Sequence, residues 1–182
     1  SSKGTWRVSF EKRKQRQSQQ WQKELGIGAE FRFGDKNLQE IFDASRLALL
    51  QLHDGDFISP GPFLYHHFWF RDAAPMVHAL DVLGFSKRAR RVIDAFPGRL
   101  RSDGFFQGPD GEWDSNGAVL WTVLRHYRMT GSHLWLKGWQ KDLTRAAQWI
   151  QRMRQKSGNG LMPSSLSAEH LGTVDQYFWD SF

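Results

Sequence analysis

The chain has 182 residues, with 9 Trp, 14 Phe, no Cys and a formal net charge of +6. That length suits one domain with a sizeable core, the lack of cysteine excludes disulfides and thiolate metal sites, and no apolar run approaches the roughly 20 residues of a membrane span. The charge does not describe a nucleic-acid-binding face: residues 1–26 hold seven Lys or Arg against Glu11 and Glu24, a surplus of five, so the remainder is nearly neutral.

Residues 1–30 read as a basic linker or N-terminal extension, because a Lys/Arg/Gln-rich stretch is ordinarily a solvated helix or linker. Residues 31–182 read as the globular part. Only Ala29 to Phe33 alternates in the manner of a strand. From Asn37 the apolar positions Leu38, Ile41, Phe42, Ala48, Leu49 and Leu52 fall on one helical stripe, with Asn37 and Glu40 resembling a capped start. Two glycines and two prolines between Gly55 and Pro62 break it. A second helix is expected from Asp72, with Pro75 in its first turn and Met76, Val77, Leu80 and Leu83 as its stripe. A third runs from a Ser86 cap through Ala89, Val92, Ile93 and Phe96 to Pro97-Gly98.

After a Gly/Asp/Phe-rich loop from Arg101 to Trp113, a helix begins at Asp114 or Ser115 and continues through Val119, Val123 and Tyr127 to Gly131. The clearest periodicity follows, from Trp135 through Trp139, Leu143, Ala146 and Ile150 to Met153, stopping before Gly158-Asn159-Gly160. At that spacing Trp135, Trp139 and Trp149 read as packing residues. A loop from Leu161 to Gln176 leads to a further helix start at Trp179-Asp180-Ser181. The class is all-α, built from antiparallel helix pairs.

One device occurs three times: an aromatic residue and an Asp at an inferred helix start, as Trp69-Phe70-Arg71-Asp72, Glu112-Trp113-Asp114-Ser115 and Phe178-Trp179-Asp180-Ser181. Every other helix carries it, and alternate helices of an antiparallel array point the same way, so all three starts are expected at one end. Each Asp taken alone reads most simply as an N-cap. Capping, however, asks for neither the neighbouring ring nor the bracketing Arg71 and Glu112. A sugar asks for both, since its hydroxyls suit carboxylates and an Arg fork while its C–H faces suit an aromatic platform. Many acids compete for roles at this end, Asp72, Asp114, Glu169 and Asp180 among them, and spacing along the chain does not choose between them. His66-His67 lacks a second ligand pair at metal-site spacing.

Phe68 to Met76 (FWFRDAAPM) resembles the W-x-R-D signature of glucoamylase-like six-hairpin glycosidases. Gly111 to Trp121 (GEWDSNGAVLW) is similar to the stretch before a core helix in bacterial members, and Gly160 to Gly172 followed by Tyr177 to Phe182 is similar to the region around their acid. The resemblance implies an (α/α)6 toroid, with roughly the first half present, that hydrolyses α-linked glucans or related oligosaccharides with inversion and without cofactor or metal. It implies that Arg71 and Asp72 hold the sugar, joined by Phe70, Glu112, Trp113, Asp114 and Trp179. Those enzymes carry the proton donor in a Trp-Glu motif that is missing here, so Glu169 is the first candidate by position and Asp180 the second, with the other carboxylate expected from a later hairpin. The expected partner is an oligosaccharide or polysaccharide, not nucleic acid or a membrane, and exposed helix faces are expected to favour self-association. The competing readings are a non-catalytic helical carbohydrate-binding or protein-interaction scaffold and a nucleic-acid binder using the basic segment. A regular repeat array is disfavoured by the unequal intervals of 42 residues from Asp72 to Asp114 and 66 from Asp114 to Asp180.

Overall fold

A computed structural model describes residues 9–109, 111–166 and 173–181, and over these the chain is predominantly helical. Helix α1 (Phe10–Leu25) starts at Ser9, whose hydroxyl accepts from the Lys12 N–H, and buries none of its residues. Its last turn is nevertheless anchored. Trp21 and Leu25 pack against the core, Glu24 pairs with Arg88 at 2.5 Å, and the Ala29 N–H donates to the Leu83 carbonyl at 2.8 Å. Gly28 permits that approach, since a Cβ there would stand 2.5 Å from the Phe85 ring.

Helix α2 (Lys36–Gln51) begins one residue before the expected Asn37, because Asp35 is the cap and accepts from the Leu38 N–H at 2.9 Å. The Ala29 to Phe33 segment forms no strand. The Gln39 side chain satisfies its main chain instead, accepting from the Phe33 N–H at 2.9 Å and donating to the Phe31 carbonyl at 3.2 Å. The Gly/Pro break holds a two-residue ladder, β1 (His53–Asp54) with β2 (Phe57–Ile58), turning at Gly55 with φ +60°.

Helix α3 (Phe70–Val82) starts two residues earlier than the sequence suggested, which puts Pro75 inside it and not in the first turn. Packing is the reason. Phe70 is only 2 % exposed and meets Phe96 edge to face at 5.0 Å and Phe106 at 5.8 Å, so its burial extends the helix backward. Pro75 then withholds the N–H that the Arg71 carbonyl would otherwise accept. Helix α4 (Ser86–Asp94) has Phe85 at the cap position, so Ser86 is its first helical residue and not its cap, and a 3-10 turn follows over Phe96–Arg99. Helices α5 (Ser115–Thr130) and α6 (His133–Ser157) end as expected at left-handed glycines, Gly131 with φ 65° and Gly158 with φ 75°.

Side-chain bonds define how these helices lie. At their starts α3 and α5 are joined by Arg71 and Asp114. Further along, Arg125 meets His78 at 3.0 Å, and near their ends the buried Asp81 and His126 meet at 2.9 Å. The two helices therefore run parallel, side by side. Helix α6 returns along α5, since Asn116 near the start of α5 bonds Ala146 while His126 near its end touches the Trp135 ring. The core lies between α3, α4, α5 and α6, where Leu80, Ala89, Val92, Ile93, Val119, Val123 and Ala146 have no measurable exposure. Trp135, Trp139 and Trp149 are all buried, with Trp149 in a smaller cluster with Phe105 and Met162.

A second short ladder, β3 (Ser165–Leu166) with β4 (Val174–Asp175), lies in the expected loop. Two-residue strands leave no periodicity to read. The apparent helix start at Trp179 is a 3-10 turn over Phe178–Ser181.

Candidate functional site

The site begins with an ion-pair group at the heads of the parallel helices. Arg71 Nη1 stands 3.2 Å from Glu112 Oε2 and bonds Asp114 Oδ2 directly. The two carboxylate side chains are only 7 % and 9 % exposed, so the guanidinium offsets the cost of removing them from water. Asp114 occupies the cap position of α5, yet its side chain makes no cap hydrogen bond. Capping therefore does not account for it.

Around this group is a cavity of about 470 Å³, within the range of small-ligand sites. Arg71, Ala74 and Pro75 form one wall, and Asp114, Gly117, Ala118 and Trp121 the facing one. Both sets follow one helical stripe, at positions i, i+3 and i+4, and i+7 on α5. Ile150 and Arg154 of α6, Met162, and the turn Phe178–Ser181 complete it. Arg71, Trp113, Asp114, Trp179 and Asp180 thus meet at one place.

Other expected residues are elsewhere. Phe70 is a core residue and does not reach the cavity; one residue along a helix is a turn of about 100°, so Phe70 and Arg71 face different ways. Glu112 is buried against Arg71 and is not part of the lining. Asp72 lies half-buried in the first turn of α3, also off the lining. Glu169 lies outside the described residues. Trp121, 42 % exposed, and the small residues Ala74, Gly117 and Ala118 were not anticipated as lining. Their signal was available, since Gly117, Ala118 and Trp121 stand three, four and seven residues after Asp114.

The aromatic residues divide by role. Trp113 lines the cavity but also works structurally: its indole N–H donates to the Ser164 carbonyl at 3.1 Å and its ring leans on Phe105 at 5.7 Å. Trp179 is 37 % exposed and lies parallel to Tyr177, 4.5 Å away with an 8° tilt, while Phe178 beside it is 76 % exposed. The pair presents a flat apolar face at the rim.

Asp180 is 8 % exposed, and its Oδ2 accepts from the Ser165 hydroxyl. Its Oδ1, shielded from water, has no hydrogen-bond partner among the described residues. Burial pushes this carboxyl above the ordinary aspartate range and the Asp114 charge adds to the effect; the Ser165 hydroxyl, the Trp113 main-chain N–H and Arg71 oppose it. Because the folded pKa exceeds the unfolded one, ionisation costs the folded state stability. The penalty is absent below the unfolded pKa and complete above the folded pKa. Asp180→Asn is therefore expected to gain stability relative to the parent protein as pH rises through that window. Urea unfolding across a pH series measures this, and a difference independent of pH would refute it.

Among the described residues no three His, Asp or Glu side chains gather as a metal-binding set, and no helix is long and apolar enough to cross a membrane. His66 and His67 make ring contacts instead, with Phe57 at 5.4 Å and Trp69 at 5.7 Å. Compared with protein-family models, with curated proteins and with solved structures, the chain has no significant match.

Proposed function

We propose that this chain belongs to the catalytic domain of a glycoside hydrolase, an (α/α)6 toroid acting with inversion on α-linked glucans or related oligosaccharides. The observation that carries the reading is the meeting of Arg71, Asp114 and Asp180 at one cavity edged by Trp113, Trp121 and Trp179. A guanidinium and carboxylates match sugar hydroxyls, and flat rings match the C–H faces of the pyranose. The toroid is supported by the parallel, adjacent α3 and α5 with α6 returning along α5, a unit that a ring of inner and outer helices repeats.

Glycoside hydrolysis by inversion needs one carboxyl that holds its proton and another that activates water. Asp180 fits the first role, because burial favours its neutral form. The glycosidic C–O bond breaks, its electrons pass to the leaving oxygen, and that oxygen takes the Asp180 proton while water adds at the anomeric carbon and yields a proton to the second carboxylate. The resemblance assigns that second carboxylate to a further hairpin.

Titrating the protein with maltose and maltotriose while following tryptophan fluorescence tests the binding half. Saturable quenching is expected with these α-glucosides and not with sucrose-free buffer of matched viscosity. Trp179→Ala is expected to weaken binding about tenfold, the ~1.4 kcal/mol of one well-stacked aromatic contact. No saturable response to any α-linked oligosaccharide would end the reading. Saturable binding with no turnover would favour the non-catalytic carbohydrate-binding alternative.

A further inference from the structure

We infer that Ser165 is a positioning residue for Asp180: its hydroxyl holds Oδ2 and so leaves Oδ1 as the oxygen that carries the proton. Nothing in the Ser165 sequence neighbourhood announces this role, and it deepens the hydrolase reading, on which only its catalytic consequence rests.

The argument starts from how Ser165 is held. It is 2 % exposed and sits in β3, which is stitched to the turn before α5 at two points. The Leu166 N–H donates to the Gly111 carbonyl at 2.9 Å, and the Trp113 indole donates to the Ser164 carbonyl at 3.1 Å. The other end of the same segment grips the Asp180 turn, since the Met162 N–H donates to Ser181 Oγ at 3.1 Å. Ser165 is thus wedged between the turn that carries Asp114 and the turn that carries Asp180. A surface serine that met a carboxylate by chance would lack these restraints.

The chemistry of the contact then selects the oxygen. A serine hydroxyl has one proton, and among the described residues the Asp180 carboxyl is the acceptor that Ser165 Oγ meets. An oxygen that accepts this bond is the carbonyl-like oxygen of a protonated carboxyl, so the acid proton sits on the other one. That other oxygen, Oδ1, is buried and makes no hydrogen bond of ordinary geometry among the described residues, although the Trp113 main-chain N–H lies near enough to the carboxyl to favour its ionised form. A bare anionic oxygen there, shut off from water, would be costly, so the burial of Oδ1 favours the protonated carboxyl. The charged groups that act on this carboxyl from the packed elements are Arg71 from α3 and Asp114 from the head of α5, with Arg154 of α6 on the same cavity wall.

The test follows the Asp180 carboxyl itself, by carbon NMR on protein labelled at aspartate, with Asp180→Asn to assign the signal. In Ser165→Ala the Asp180 titration is expected to move to higher pH, because a hydrogen bond that favours the ionised form is gone. Ser165→Thr, which keeps the hydroxyl, is expected to restore the parent titration, and Ser165→Cys, a weaker donor of similar size, to fall between. If Ser165→Ala does not fold, the Cys and Thr pair carries the comparison. Where turnover is measured, Ser165→Ala is expected to lower kcat by about 10²-fold with little change in KM and to shift the alkaline limb of the pH profile upward. An Asp180 signal that titrates at the same pH in all four proteins would overturn the inference. Because the titration needs no substrate, a protein that titrates as expected and hydrolyses nothing would count against the hydrolase reading alone.

Discussion

Arg71→Leu is expected to lower folding stability by about 3–5 kcal/mol and to abolish the proposed saccharide binding. The substitution keeps most of the side chain's bulk but takes from Glu112 and Asp114, at 7 % and 9 % exposure, the guanidinium that offsets their burial. Removing one partner of a desolvated ion pair costs far more than the pair contributes in place, because the remaining charge stays buried. Urea unfolding monitors the loss. Two further variants separate the components. Arg71→Leu combined with Glu112→Gln and Asp114→Asn removes the stranded charges and is expected to recover much of the stability but none of the binding. Arg71→Lys restores a charge without the planar fork and is expected to lie between, since one ammonium cannot match two carboxylates as the guanidinium does. A loss below about 1 kcal/mol for Arg71→Leu would mean that the pair behaves as a surface ion pair.

Asn116→Ala is the second substitution with a large expected effect, about 3 kcal/mol or more. Asn116 is fully buried and joins three segments. Its Oδ1 accepts from the Phe106 N–H at 2.7 Å, and its Nδ2 donates to the Gly104 carbonyl at 3.0 Å and to the Ala146 carbonyl at 3.1 Å. Alanine leaves these groups buried without that partner, at roughly 1–3 kcal/mol for each one that stays unsatisfied, and opens a small cavity besides. Asn116→Asp makes the sharper comparison. It keeps the acceptor for Phe106 but turns a carboxylate toward two carbonyl oxygens, so it is expected to be at least as damaging at neutral pH and to improve in acid, when the carboxyl regains a donor. Thermal or urea unfolding at both pH values reads this out. An Asp variant as stable as the parent at neutral pH would show that the loop and α6 are held by other contacts. The effect is expected to reach the site, because Asn116 sits two residues beyond Asp114 and fixes the loop that leads to it.

The two substitutions bear on different kinds of information. The helical stripe through Val119 and Val123, and the stops at Gly131 and Gly158, were legible because the pattern of apolar residues and the left-handed caps are local properties of the chain. Helix starts were less legible. Asp35 caps α2 where Asn37 seemed the stronger signal, and α3 begins at Phe70 because a buried ring cluster outweighs the local preference of Pro75 for a first turn. The ladders at Ser165 and His53 left no trace, being two residues long.

At the cavity the same division holds. Sequence alone expected Arg71, Asp72, Trp113, Asp114 and Asp180 to share one rim, by the recurrence of an acid and a ring at alternate helix starts; the cavity gathers the others together with Trp179 but leaves Asp72 off its lining. It did not tell that Asp114 bonds Arg71 and leaves its cap unmade, that Phe70 turns into the core, that Trp121 forms a wall, or that Ser165 meets Asp180. Periodicity reports which face of a helix a residue occupies relative to its own neighbours. Which faces then oppose one another, and so which acid is paired with a cation and which is pushed by burial toward its neutral form, depends on contacts between segments some forty residues apart or brought together by a turn, and only the packed chain decides them.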